Sequence, residues 1–358
     1  MSLAVLGPGG VGGLVAASLS RAGTRVTVVA RDSTAATISE QGVRVRSVLL
    51  GDFTAHPHAV ARLEEPVDVL IVATKAAGLH EALDRVDVAP RLVLPLLNGL
   101  DHIALLRARF GDAPVVAGTI RVEADRPEPG VVVHTSRFLR IDMASKHAEA
   151  RAPMERLAEV LSEAGVPARV HPLAQPATPP TERAGEAVHP STIQPATPPT
   201  ERAGVAVHPS TIQPATPPTE RAEVAVHDWE AQVMWSKLVR LNALACTTSA
   251  YDLLLGEIRS TPELRADLVG AIEEGCAVAE AEGASIPRGD PLGELTAAHA
   301  TLGSSMQRDI AAGRPPELDA IPGAVLRAAA RHGIACPVVS RLVAVIAQRT
   351  NAPLPAVP

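Results

Sequence analysis

Leu3-Ala4-Val5-Leu6-Gly7-Pro8-Gly9-Gly10-Val11-Gly12-Gly13 decides the fold: an apolar run fit for a buried parallel strand passes without a spacer into G-x-G-x-x-G. In this pattern Gly7 allows the tight turn and Gly9 lets the backbone approach a pyrophosphate, with Gly10 beside it. Gly12 lets helix and strand pack closely, and the pyrophosphate sits on a helix N-terminus whose free N–H groups and dipole favour anions. The context is present on both sides. Leu14 to Arg21 reads as the helix, and Thr24 to Ala30, alternating and mostly β-branched, as a second strand. That strand ends at Arg31, where an acid would accept hydrogen bonds from the ribose hydroxyls of NAD. A guanidinium cannot accept them but can pair with a 2′-phosphate, so the cofactor expected is NADP(H); Asp32, one residue later, keeps NAD open.

The rest of the 358 residues is long enough for two domains with full cores. Hydrophobic residues make up 46% but aromatics only 2%, so the core must come from Val, Leu, Ala and Ile. A net charge of −6 with both signs dispersed gives no basic stripe, which argues against nucleic acid as a partner. No run of about 18 apolar residues is present to span a bilayer, and Met1 to Leu6 lacks a basic signal-peptide start, so no membrane partner and a cytoplasmic location are expected. Cys246, Cys276 and Cys336 are too few and too scattered for a disulfide framework and read as inert buried thiols. No metal site is expected.

Strand and helix patterns alternate up to residue 171. Val67 to Thr74, Leu92 to Leu97 and Val115 to Val122 are apolar runs suited to a parallel sheet covered on both faces. Val131 to His134 and Leu139 to Ile141 look like a hairpin, Arg151 to Ala164 is an amphipathic helix, and Val166 to His171 a last strand. From Gln175 the chain repeats a 19-residue unit three times, the first two copies differing only at Glu186 against Val205. Pro-Pro pairs and charged residues leave these units no apolar face to stack, so 172–227 reads as a disordered, Pro-rich linker. From Asp228 the pattern is helical, with Met234, Leu238, Leu241 and Ala245 at helix spacing. The expectation is a Rossmann-type α/β domain over 1–171, a linker, and an all-α substrate domain over 228–350, with the active site in the cleft between the domains. Apolar faces of the second domain would allow a homodimer.

Lys75 and Asn98-Gly99 follow two of the apolar strands, at the edge where open α/β sheets bind ligands. Lys237 lies on the first helix of the second domain, and Ser305 and Glu317 follow in the same domain. With Trp235-Ser236-Lys237-Leu238, the Pro129-Gly130-Val131-Val132-Val133-His134 segment, Ser304-Ser305-Met306, Gly313-Arg314, Glu317-x-Asp319 and His332-Gly333-Ile334, the chain resembles the ketopantoate reductases (2-dehydropantoate 2-reductases) over both domains. The resemblance implies that NADPH reduces the C2 ketone of a small 2-keto acid, giving (R)-pantoate on the route to coenzyme A. Lys237 would be the general acid and Asn98 would position the reacting oxygen. Ser305 would hold the substrate carboxylate, Glu317 the distal hydroxyl or the lysine itself, and Lys75 would lie near the cofactor phosphate or the substrate's acid end.

Two positions depart from the family pattern. The asparagine commonly found four residues after the catalytic lysine is Leu241 here; Asn242 lies about 140° around the helix from Lys237. Ile-Asn-Gly after the acidic motif has become Ile321-Pro322-Gly323. A related reductase of another, less polar ketone is therefore the alternative. An alternative of another class is an NADP(H)-binding protein without turnover that engages a partner through the repeats.

Overall fold

The computed structural model describes residues 1–173 and 228–357, so the repeat segment and its expected disorder lie outside the described residues. Four consecutive buried residues form β1 (Leu3–Leu6), and α1 (Gly10–Arg21) starts directly after the glycine turn. The chain continues through β2 (Val26–Val29), α2 (Asp32–Gln41), β3 (Val43–Ser47), β4 (Phe53–Ala55), β5 (His58–Val60) and β6 (Val69–Val72). Then come α3 (Leu79–Leu83), β7 (Leu92–Pro95) and α4 (His102–Phe110). Strands β5-β2-β1-β6-β7 form one parallel sheet in that order. The chain moves outward from β1 on one side and returns on the other, so the order reverses beside β1, the crevice where such sheets take ligands. Alternate residues serve opposite faces: Leu3 and Val5 belong to one core cluster, Ala4 and Leu6 to another.

The remaining strands are β8 (Ala117–Arg121), β9 (Ala124–Asp125), β10 (Val131–His134), β11 (Arg140–Ala144) and, after α5 (Arg151–Glu163), β12 (Ala168–Val170). They correct two expectations. Val115 to Val122 does not extend the parallel sheet: Val115 makes a single bridge to Val93, and β8 then pairs antiparallel with β11 in a sheet ordered β12-β11-β8. Nor do β10 and β11 form a hairpin. β10 lies parallel to β3 in a sheet ordered β4-β3-β10-β9. This pairing gives a buried polar side chain its partners: the His134 ring lies 2.8 Å from Ser47 Oγ on β3 and 3.1 Å from Ser136 Oγ.

Beyond residue 228 the described chain is mostly helical: α6 (Trp229–Tyr251), α7 (Leu255–Ser260), α8 (Pro262–Ala281), α9 (Gly289–Ala297), α10 (Ser305–Ala311), α11 (Ala324–Arg331) and α12 (Pro337–Thr350). Asp228 caps α6, its carboxylate accepting the N–H groups of Glu230 and Ala231. This 23-residue helix is the axis of the second core, with Trp235 among its largest buried side chains and α8 and α12 against it. α6 also packs on β8 and β11. Its first turn is pinned by Arg107 of α4, which donates twice to Glu230 at 2.8 and 2.9 Å. The Trp229 ring stacks on His171 at 4.9 Å between centroids. Among the described residues no helix is long and apolar enough to cross a membrane.

Candidate active site

The glycine loop is shaped by what it excludes. A Cβ on Gly10 would overlap the Ala124 carbonyl oxygen, and one on Gly12 would overlap that of Gly7. A Cβ on Gly9 would meet nothing closer than Ala73 O at 4.0 Å, so this side of the loop is open to an approaching group. Gly9 is the N-cap of α1, and no acid occupies the helix's first turn to oppose an anion. A loop closed everywhere except at the helix N-terminus fits a dinucleotide pyrophosphate. Arg31 lies exposed at the end of β2, where it is the N-cap of α2.

Lys75 and Asn98 lie just past the C-terminal ends of β6 and β7, on the same edge as the loop. Gly99 holds the second in place. Its φ of +86° is left-handed, and a Cβ there would overlap the carbonyl oxygen of Ala320. The backbone thus passes beneath the second core, and Asn98 Nδ2 donates to Glu317 Oε2 at 3.3 Å. Asp101, two residues on, accepts from Arg327 of α11 at 2.6 Å.

The helical part supplies the other side. Lys237 sits on α6 as a partly buried residue. Burial pushes its ammonium down to about 8, helped by the Arg240 charge and opposed by Glu317. Burial raises the Glu317 carboxyl, against the pull of Lys75, the Asn98 hydrogen bond and Lys237. Lys75, Asn98, Lys237 and Glu317 therefore converge, as their spacing did not reveal. Ser305 is less engaged. Its neighbour Ser304 caps α10 by accepting from Gln307 N at 3.0 Å, while Ser305 begins the helix one turn before Asp309, on the same face.

Three participants were not singled out in the sequence. Asp309, almost fully buried, pairs with Lys75 across 234 positions and accepts from Arg314 Nε at 2.8 Å. Arg240, one turn after Lys237, reaches Glu294 Oε2 at 3.2 Å. The same carboxylate accepts twice from Arg121 of β8, at 2.7 and 2.8 Å. Helix spacing from Lys237 was a usable signal for Arg240; nothing local marked Asp309. His102, buried at the start of α4, keeps Nε2 without a partner among the described residues. Burial, then the Lys237 charge, pushes its imidazole down to about 3, so it stays neutral.

The departures at the site are structural facts. Asn242 is buried inside the helical core, where its Oδ1 accepts the Cys246 thiol at 3.4 Å, while Leu241 packs against that core. No amide from that turn replaces the one the family pattern carries. Pro322 lies in the π-helical turn Asp319–Gly323 that follows Glu317.

Residues 3–145 match the family model described as ketopantoate reductase PanE/ApbA, and residues 231–350 its C-terminal counterpart. A 2-dehydropantoate 2-reductase of Halobacterium salinarum is 27% identical over 96% of both chains. An uncharacterized oxidoreductase of Bacillus subtilis, YkpB, is 31% identical over 48% of this chain and 56% of its own length. A D-mandelate dehydrogenase solved with NADH and anilino(oxo)acetate shares the fold, with a TM-score of 0.75 at 18% identity, covering 98% of this chain and 99% of that one.

Proposed function

The chain belongs to the ketopantoate reductase PanE/ApbA family, and from that premise we propose that it reduces 2-dehydropantoate to (R)-pantoate with NADPH. Family membership makes it a nicotinamide-dependent oxidoreductase of the ketopantoate reductase type; the substrate and the choice of NADP(H) over NAD(H) are our reading. What carries it is the convergence of Lys237 with Glu317 and Asn98 on the edge that bears the glycine loop. Gly7, Gly9, Gly10 and Gly12 would hold a dinucleotide along that edge, and its dihydronicotinamide would supply the hydride for the ketone carbon. Lys237 then holds the proton destined for the carbonyl oxygen. With a pKa near 8 it is charged at neutral pH yet close enough to release its proton readily.

Asn98 orients the reacting oxygen, and Glu317 keeps the lysine aimed or takes the substrate's distal hydroxyl. Ser305 receives the carboxylate. Lys75, now paired with Asp309, exchanges that partner for the substrate's acid end or a cofactor phosphate. The assay is oxidation of NADPH by ketopantoate, followed by the loss of reduced-nicotinamide absorbance, with NADH and other 2-keto acids alongside. Rapid NADPH-selective turnover is expected; NADPH binding without turnover of any 2-keto acid would sink the assignment.

A second reading has its own observation. With Asn242 turned into the core and Leu241 in the amide's position, the pocket offers one fewer polar contact to ketopantoate's hydroxyl or carboxylate. A related reductase of a less polar ketone follows, and a panel in which ketopantoate ranks poorly would select it.

A further inference from the structure

The reacting lysine has two unlike flanks. On a helix, a residue three positions on lies about 60° back around the axis and one four positions on about 40° ahead, each with its Cβ roughly 5–6 Å away. From Lys237 on α6 those residues are Arg240 and Leu241. Leu241 packs against the helical core, so that flank offers a ligand hydrocarbon. Arg240 offers a guanidinium, its side chain only 17% exposed.

The other cations around the site are already engaged. Lys75 pairs with one oxygen of the buried Asp309, and Arg314 Nε donates to the other at 2.8 Å. Arg121 of β8 donates to both oxygens of Glu294. Arg240 is left with a charge contact and nothing more. Its Nε, closed off from solvent, lies 3.2 Å from Glu294 Oε2 without forming a hydrogen bond, and no N–H of the guanidinium donates to a described residue. Burial first, and the Arg121 charge second, work against the cation, with Glu294 and Glu123 in support. A guanidinium stripped of most of its water and left without an acceptor is an unfilled fork, and a carboxylate fills it with two parallel hydrogen bonds.

A 2-keto acid is built to meet both flanks, since its reacting carbonyl carries a carboxylate on one side and a carbon chain on the other. With the carbonyl oxygen at Lys237, the anionic end goes to Arg240 and the chain to Leu241. The reverse placement would set a carboxylate against hydrocarbon and leave the guanidinium unpaired. We propose that Arg240 is the specificity-determining residue of this site, holding the carboxylate of the 2-keto acid in its fork and so turning the carbonyl oxygen toward Lys237. The proposal rests on the 2-keto-acid reading above and adds a charge to the neutral hydroxyl of Ser305.

The test is steady-state reduction at pH 7 by the full-length protein saturated with NADPH, for the wild type, Arg240→Gln and Arg240→Lys. The substrates are ketopantoate, 3-methyl-2-oxobutanoate and the neutral methyl ester of the latter, and the readout is the ratio of kcat/KM for acid to that for ester. The wild type should prefer the acids. Arg240→Gln should lower the ratio on the order of 10²-fold, the loss of a charge-assisted fork, chiefly through the KM of the acids. Arg240→Lys should recover part of it, keeping the charge but losing the fork. A merely structural role would slow acid and ester together, so an unchanged ratio in Arg240→Gln overturns the proposal. A loss confined to kcat, with the KM of the acids unmoved, overturns it as well. Should the wild type reduce neither acid, the reductase reading fails by itself, and calorimetric titration of the same three proteins with 3-methyl-2-oxobutanoate in the presence of NADP⁺ decides Arg240. Weaker binding in Arg240→Gln upholds the anchor; binding equal in all three, or absent from the wild type, removes it.

Discussion

The two ends of the candidate site are built on different principles. The nucleotide end is a backbone site: a turn, a helix N-terminus and a set of excluded side chains, nearly all inside Leu3 to Arg31. The chemical end is a side-chain site, assembled across 219 positions between Asn98 and Glu317 and 234 between Lys75 and Asp309. The first needs local geometry and little else. The second depends on burial and on neighbouring charges that only the tertiary fold brings together, and the Lys237 ammonium near 8 is its product. Binding and chemistry should therefore be separable by mutation.

Lys237→Ala gives the largest expected effect, a fall in turnover of about 10²–10⁴-fold with NADPH affinity little changed. If affinity fell in step, the two ends would not be independent and the comparison would break. Gly10→Ala acts on the other end. Its Cβ overlaps the Ala124 carbonyl, so β9 or α1 must shift, at about 1–3 kcal/mol of stability, visible as a lowered Tm and weakened cofactor binding. A Gly10→Ala protein with wild-type Tm and affinity would show that the loop is looser than this packing requires.

A pH series sharpens the contrast further. As the general acid of the proposed reduction, Lys237 would have to be protonated, so the rate should be level below about 8 and decline as pH rises through it; the reverse oxidation should rise over the same interval. Arg240→Gln removes a cation that opposes the ammonium and should move that limb upward. It should not reach the ordinary lysine value of 10.5, because burial, the larger cause, remains. A limb that stays put would mean that Arg240 does not act through the lysine's charge. The smallest effect is expected from removing one 19-residue repeat. Closure entropy varies only as the logarithm of length, so the change should be under about 0.5 kcal/mol and barely register in a melting curve.

The same division explains what could be read without coordinates. β1 spans Leu3–Leu6 as expected, and the helical start at Asp228 coincides with a real cap. Both follow from adjacent residues. The partner strands of β8 and β10 did not, because an apolar run reports that a strand is buried and is silent about which strand lies beside it. The contacts of the His134 ring with two serines, one of them on β3, carry no periodic signal. Lys237 and Glu317 were singled out through the family pattern, whereas Asp309 and His102 draw notice only once the fold sets one beside Lys75 and the other within reach of the Lys237 charge.

The ring stack of His171 on Trp229 fastens together the two points where the chain leaves and re-enters the described structure. Among the described residues, Asp228 caps α6 and Arg107 grips its first turn. A backbone cut anywhere from 175 to 226 should leave halves that stay associated without a covalent link. Expressed as separate polypeptides, they should find one another and reconstitute the cleft.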